Sequence, residues 1–349
     1  MSAVPTELRI SLVKLFELAR RASDEGRLEE AERLYRILMR DGPAPDVYRN
    51  LFVVLERQGR YVEAEQLLRE ARERWPEDRL TALFLGLSLL SRGAYAEGWP
   101  LYHHQETRER WRPSLSFPEW QGEPVRSLLV LPDQGMGDQI QFARFVAILV
   151  RQGVAVTVYC APALVRLFSG LGARVLPAEG DVQIERHDAW TIFSALPWRM
   201  GVKEPKDVPA EPYLPSRSGG QGIGVGVRGN PNHVRDRWRS LPEPLQREVL
   251  AWPGVRSLQP EDTGVRDFED TRRIIEDLEL VITVDTAVAH LAGAMGKPVW
   301  LLTARPADWR WMRQGTESPW YPSVRVFRQP RDSDWAGVIA EVRAALDAR

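Results

Sequence analysis

Along the first third of the chain, apolar residues return every three or four positions, and glycines break the pattern at nearly equal distances. Gly26-Arg-Leu-Glu-Glu-Ala31, Gly59-Arg-Tyr-Val-Glu-Ala64 and Gly93-Ala-Tyr-Ala-Glu-Gly98 recur with the glycines 33 and 34 residues apart. Each lies between two helical patterns, such as LFELARRASDE before the first turn and AERLYRILMR after it. Pro45 and Pro76 punctuate the ends of repeats. This period predicts helix–turn–helix units that bury their faces only by stacking on one another. Segment 100–124 has no helical period, yet it carries Tyr102, Trp111, Phe117 and Trp120 beside Pro113 and Pro118. It predicts a connector packed rigidly against the next domain.

Beyond it the period shifts to short apolar runs alternating with helices, the pattern of parallel sheets. Ser127–Leu131 reads as a strand, 133–138 as a glycine loop, QIQFARFVAILVRQG as a helix stopped by Gly153, and Val154–Cys160 as a second strand. A helix from Pro162 ends at Gly170 and Gly172. Residues 181–186 and the HDAWTIFSALPWRMG stretch complete the sheet and one helix, and Val208–Ser218 reads as a hinge. A second series comes next: strand Ile223–Val227, helix Glu243–Trp252, strand Val255–Gln259 and helix Phe268–Leu278. ELVITVDTAVAHLAGAMGKPVWLL at 279–302 reads as strand, tight turn, short helix, glycine stop and strand. Trp309, Trp311, Trp320 and Tyr321 are too many aromatics for a solvated loop, so 304–330 either walls a cleft or packs down. Asp334–Ala348 is a final amphipathic helix. The divisions are 1–110, 111–218 and 219–349.

Composition narrows the function classes. With 349 residues, 44% hydrophobic and 27% charged, the chain can build two or three real cores. A formal net charge of −1 argues against non-specific nucleic-acid binding. A single cysteine, Cys160, rules out an internal disulfide framework and a cysteine metal cluster, and its apolar run predicts a buried thiol. With neither an apolar leader nor an apolar span of about 20 residues, the expectation is a soluble cytoplasmic protein without a membrane span.

The candidate chemistry sits in loops that come after strands. Gly135 and Gly137 let a backbone approach a ligand closely, with Gln139 beginning the helix. Asp138 at the end of that loop is either a helix cap or a general base at the carboxyl edge of a sheet. Asp285-Thr286 precede a helix starting at Ala287, which is either an ordinary capped helix or an anion site built on free N–H groups. The loop RGNPNHVRDRWRS brings Arg228, Arg235, Arg237 and Arg239 together with Asn230 and His233. It suits phosphate neutralisation, or is simply a solvated basic loop. Lys297 comes after the 286–295 helix, where a C-terminal charge is the plain reading. His290 lies mid-helix on an alanine-rich face, a position more typical of a core histidine than of a catalyst. Asp332 and Asp334 read as caps, and no metal-ligand spacing stands out.

DQGMGDQIQFARF, NPNHVRDRWRSLP, VDTAVAHLAGAMGKPVW and DWRWMRQGTESPWYPSVRVFRQ together resemble bacterial tetratricopeptide-repeat glycosyltransferases. Their catalytic part is similar to glycosyltransferase family 9, the heptosyltransferases, and some resemble flagellin-modifying enzymes. The resemblance implies α-helical tetratricopeptide repeats followed by an α/β GT-B fold of two Rossmann-like domains, acceptor side first and nucleotide-sugar side second. It implies inverting, metal-independent transfer from a nucleotide-sugar, without a cofactor, to a hydroxyl of a protein acceptor held by the repeats. Asp138 matches the base. Arg237 and Arg239 match positions that meet donor phosphate, and Asp285, Thr286, Ala287 and His290 match the donor-binding turn and helix, with Lys297 grouped beside them. Val227 stands where relatives usually carry a Trp, and 259–267 is shorter than theirs. The competing readings are a non-catalytic repeat adaptor with a remnant GT-B part and a glycolipid or envelope-polysaccharide glycosyltransferase.

Overall fold

The computed structural model describes residues 11–103, 111–181, 183–232 and 236–349. Six helices come first: α1 (Leu12–Asp24), α2 (Leu28–Asp41), α3 (Pro45–Arg57), α4 (Tyr61–Arg74), α5 (Arg79–Ser91) and α6 (Tyr95–Tyr102). Gly26, Gly59 and Gly93 turn each pair with φ of +77°, +79° and +85°, a left-handed conformation that glycine adopts without Cβ strain. Pro45 opens α3 at its first turn rather than closing a repeat, because proline's missing N–H is harmless there. Helices α1 to α4 bury an apolar face on their neighbours, including Ala19, Ala22, Tyr35, Leu51, Leu55 and Leu68, whereas α5 is buried nearly all round. The last pair crosses closely: a Cβ on Gly86 would lie 2.7 Å from the Tyr102 backbone N.

The first sheet has the order β3-β2-β1-β4, all parallel, from β1 (Ser127–Leu131), β2 (Ala155–Cys160), β3 (Arg174–Pro177) and β4 (Ala189–Ile192). Helix α7 (Met136–Arg151) joins β1 to β2. Leu128–Leu131 are fully buried: Leu128 and Val130 join the core with α7, while Leu129 and Leu131 join Phe117 on the other face, beside Trp190 and Ile192 of the neighbouring β4. The third strand lies at 174–177, and the described part of 181–186 forms no strand. In the described part of the connector, Phe117 and Trp120 are buried. Trp120 N donates to Trp190 O at 2.7 Å and Trp190 N to Pro118 O at 3.0 Å, which adds an edge to β4. Cys160 is buried, and burial pushes its thiol up to about 12.

The second sheet has the order β6-β5-β7-β8-β9, again parallel: β5 (Ile223–Gly226), β6 (Val255–Ser257), β7 (Leu280–Val284), β8 (Val299–Thr303) and β9 (Val324–Arg328). Four helices of eight residues or more flank it: α8 (Glu243–Leu250), α9 (Phe268–Glu276), α10 (Ala287–Ala294) and α11 (Trp335–Asp347). The glycines of β5 have a packing reason, since a Cβ on Gly226 would lie 2.5 Å from Thr283 Oγ1. The aromatic stretch after β8 contains β9, a strand its composition hides. Asp334 caps α11 by accepting from Gly337 N at 2.9 Å, and Asp332 pairs with the buried Arg57 of α3.

Residues 208–218 form a strap rather than a free hinge. Tyr213 N and Leu214 N both donate to Ala294 O, at 3.0 and 3.1 Å. Arg144 of α7, buried under the rings of Tyr213, Trp320 and Tyr321, donates to Pro209 O and Trp320 O at 3.0 and 2.7 Å. The repeats are fused to both α/β units as well. Trp99 Nε1 donates to Val202 O at 2.8 Å, and Arg313 N donates to Ser91 O at 2.8 Å. One apolar cluster runs from Leu90, Tyr95 and Trp99 through both sheets. Each such large side chain, fully buried, favours the folded state by roughly 1.5–3 kcal/mol.

Candidate active site

In the first sheet the strand order reverses between β1 and β4, and in the second between β5 and β7. Ligands of open α/β sheets sit outside the carboxyl ends of strands at such switch points. The candidate loops fall there: 133–138 comes after β1, 227–240 after β5 and 285–287 after β7. The two units meet at this edge. Gly137 packs against α10 so closely that a Cβ would lie 2.9 Å from His290 Cδ2 and 3.4 Å from Ala287 Cα. Glycine at 137 is therefore a matter of contact between units.

Gly135 is the N-cap of α7, and Asp138 stands at the third helical position. Its carboxylate lies in the acidic first turn of the helix, where the helix dipole favours a negative charge. It also pairs with Arg310. Burial raises the Asp138 carboxyl above its ordinary range, and Asp308 adds to this while Arg310 opposes it. Asp133, one turn before, is pushed to about 7, chiefly by burial.

Across the contact, Thr286 is the N-cap of α10, its hydroxyl 3.5 Å from that of Thr283. Asp285 is pushed up to about 6 by burial and Asp308, with Trp311, Arg310 and Arg239 pulling the other way. Arg239 donates to Asp285 O at 3.2 Å and to Asp236 at 3.1 Å, which holds its guanidinium beside the turn. His290 is buried, its Nδ1 3.1 Å from Tyr321 Oη and its ring centroid 4.9 Å from that of Trp311. Burial and nearby arginines depress it to about 3, so the imidazole is neutral.

Three candidates are not brought to this edge. Arg237 is largely exposed, stacks on Trp238 and pairs with Asp24 of α1 at 2.7 Å. Lys297 spends its three donors on Gly219 O, Glu276 O and Leu278 O, at 2.7, 2.6 and 3.2 Å, capping the C-terminus of α9. It lies beyond the far end of α10, and the helix whose C-terminus it serves is α9, not the helix it follows in the chain. Gln139 is turned inward, with Oε1 accepting from Ala161 N at 2.9 Å and Nε2 donating to Gln134 O at 3.1 Å. It braces the loop rather than facing a ligand. Arg228 pairs with Glu261. His233 and Arg235 lie outside the described residues.

The residue that organises the cleft is Arg310, to which the sequence reading assigned no role. It is 6% exposed. Its Nε donates to Gln141 Oε1 at 2.7 Å and Nη1 to Asp308 Oδ1 at 2.8 Å. Nη2 reaches Asp138, Gln134 Oε1 at 3.1 Å and Tyr102 Oη at 3.4 Å. The available signal was a charged pair, Asp308 and Arg310, inside an aromatic run. This meeting edge thus gathers Asp133, Asp138, Asp285 and Asp308 against Arg239 and Arg310, and burial raises the carboxyls of Asp133, Asp138 and Asp285.

No protein-family model matches the chain. It is 26% identical to Protein FlbA of Caulobacter vibrioides in an alignment of 339 positions covering 78% of this chain and 56% of that protein. The chain therefore spans just over half the length of this relative. Among solved structures it is similar to E. coli heptosyltransferase WaaC with ADP, with a TM-score of 0.41 and 15% identity over 63% of this chain and 97% of that one. It is also similar to the iron-containing dodecameric glycosyltransferase TibC of enterotoxigenic E. coli, with a TM-score of 0.38 and 12% identity over 66% and 78% of the two chains. For a mutant O-GlcNAc transferase of Thermobaculum terrenum the TM-score is 0.25 and the identity 14%, over 85% and 83%. Overlap this loose transfers no residue of the site from those proteins.

Proposed function

We propose that the chain is a glycosyltransferase that moves a sugar from a nucleotide donor to a hydroxyl of a protein acceptor engaged by the repeats, with inversion and without a metal. The observation that carries this reading is the meeting of two sheet switch points, with Asp138 on one side and the Asp285–Ala287 turn and Arg239 on the other. Asp138 takes the proton of the acceptor hydroxyl as its oxygen attacks the anomeric carbon. The bond from that carbon to the donor phosphate breaks, and the nucleotide leaves with the electron pair. Arg239 and the N–H groups opening α10 stabilise the negative charge of the leaving group. Asp285, raised to about 6, presents a donor in place of a repelling charge only when protonated, toward acid pH. Neutral His290 keeps the N-terminus of α10 in place through Tyr321.

The test is thermal stability of the purified chain against UDP, GDP, ADP, TDP and CMP and their sugar conjugates. A nucleotide at about 100 times its dissociation constant stabilises by roughly 2.7 kcal/mol, a shift of a few degrees. A shift with one nucleotide supports the donor site and narrows the sugar. No shift with any of them, in a folded sample, favours the adaptor reading. Asp138→Asn should lower turnover by about 10²–10⁴-fold while nucleotide affinity stays within about twofold, and normal turnover would remove the base assignment.

A further inference from the structure

The cleft contains a group from outside the two α/β units. Tyr102 is the last residue of α6 and therefore of the repeats, and it is 4% exposed. Its Oη lies 2.6 Å from Gln134 Nε2 and 3.0 Å from Gln134 Oε1. It also lies 3.4 Å from Arg310 Nη2, the nitrogen that meets Asp138. The same helix seats the turn that carries Arg310. Trp309 packs edge-on against Tyr95, Trp99 and Tyr102 at centroid distances of 6.5, 5.4 and 5.7 Å.

We propose that the repeats complete the cleft, with Tyr102 as a positioning residue that fixes Arg310, and through it Asp138, for the reaction. This rests on the reading of Asp138 as the base. Tyr102 touches no reacting atom in that scheme; its hydroxyl holds Gln134 and the guanidinium in one arrangement. Burial holds the phenol up at about 12, so it remains a neutral partner throughout the working range. Asp138 is faced by Arg310 and Asp308 from the 308–310 turn, Asp133 from its own loop and Tyr102 from α6; Asp285, Arg239 and His290 line the opposite wall. Of these, Arg310 is the cation paired with it, so loosening Arg310 makes Asp138 easier to protonate.

The test is Tyr102→Phe in the full chain, which keeps the ring and removes only the hydroxyl. Expected are a kcat lower by about three- to tenfold, a donor KM within about twofold and an acid limb of the rate profile moved to higher pH. A rate profile equal to the unsubstituted protein's would overturn the proposal. A second readout needs no turnover: the carboxyl ¹³C titration of Asp138, assigned by its loss in Asp138→Asn. Its midpoint should rise in Tyr102→Phe, and in Arg310→Gln the further change Tyr102→Phe should not move it. An unmoved midpoint in the single variant, or an equal shift with and without Arg310, overturns the positioning role even if the chain transfers no sugar. A protein that lacks transfer but shows the expected titrations retains the positioning role and loses only the proposed reaction.

Discussion

Asp285 is a side chain whose burial weighs against stability at neutral pH, beside the proposed donor site. Its folded value of about 6 stands above the ordinary 3.8 of an unfolded aspartate. Between those values the folded state holds the extra proton, so the contribution is fully present below about 3.8 and is lost as pH rises through 6. Asp285→Asn should therefore melt higher than the unsubstituted protein at about pH 8, by about 1–3 kcal/mol, with the gap closing toward about pH 4. A lower melting temperature at that alkaline pH would contradict this. Nucleotide affinity should in turn depend less on pH between about 8 and about 6 in the variant than in the unsubstituted protein, by titration calorimetry. His290 has the opposite sign: depressed to about 3, it costs stability as pH falls through 6.5 toward that value. None of these values was legible from residue type, because each depends on which charges the fold brings alongside. Lys297 makes the same point: it is a charge at a helix C-terminus, but the helix is α9 and not the one it follows in the chain.

At the scale of elements, the strand–turn–helix segments after β1 and β7 were readable because their apolar runs and glycine stops are local signals. What they face was not. Gly137 reads as a flexible loop residue in the sequence, while in the fold it is where two units touch. Gly137→Ala should push against His290 and Ala287, cost roughly 1–3 kcal/mol of stability and lower transfer much more than a comparable change on the outer face of α7. Unchanged turnover in that variant would show that the two loops need not approach so closely. β9 is hidden in the sequence because Val324–Arg328 is a short run at the end of a long aromatic stretch, with no helix before it to announce a strand. The fastening of the 208–218 segment is hidden for a related reason. Proline and glycine content marks irregular backbone, but not whether that backbone is tied down, as Tyr213 and Leu214 are on Ala294 O.

For the molecule as a whole, a single apolar cluster links α5 and α6 to both sheets, and ion pairs such as Arg57–Asp332 join the earlier repeats to the C-terminal unit. Chains of separable domains unfold in steps, whereas a shared core unfolds together. Calorimetry should accordingly give one main transition for the full chain. Two well-separated transitions, with the repeats melting first, would show that the cluster does not couple them. Among the described residues no helix is long and apolar enough to cross a membrane.

Three glycine turns at a 33–34-residue spacing, two βα series and a carboxylate in a glycine loop after a strand could all be read from the chain before any fold was known. They arise from periodicity and backbone conformational preference, which neighbouring residues set. Which charges share the cleft depended on the folded molecule. Arg310 reaches Asp138 from 172 residues away, Arg237 turns from the cleft to Asp24, and a tyrosine of the repeats stands within reach of both Gln134 and Arg310. Long-range contacts of this kind depend on how separately formed elements bury their faces against one another, and no local pattern encodes that.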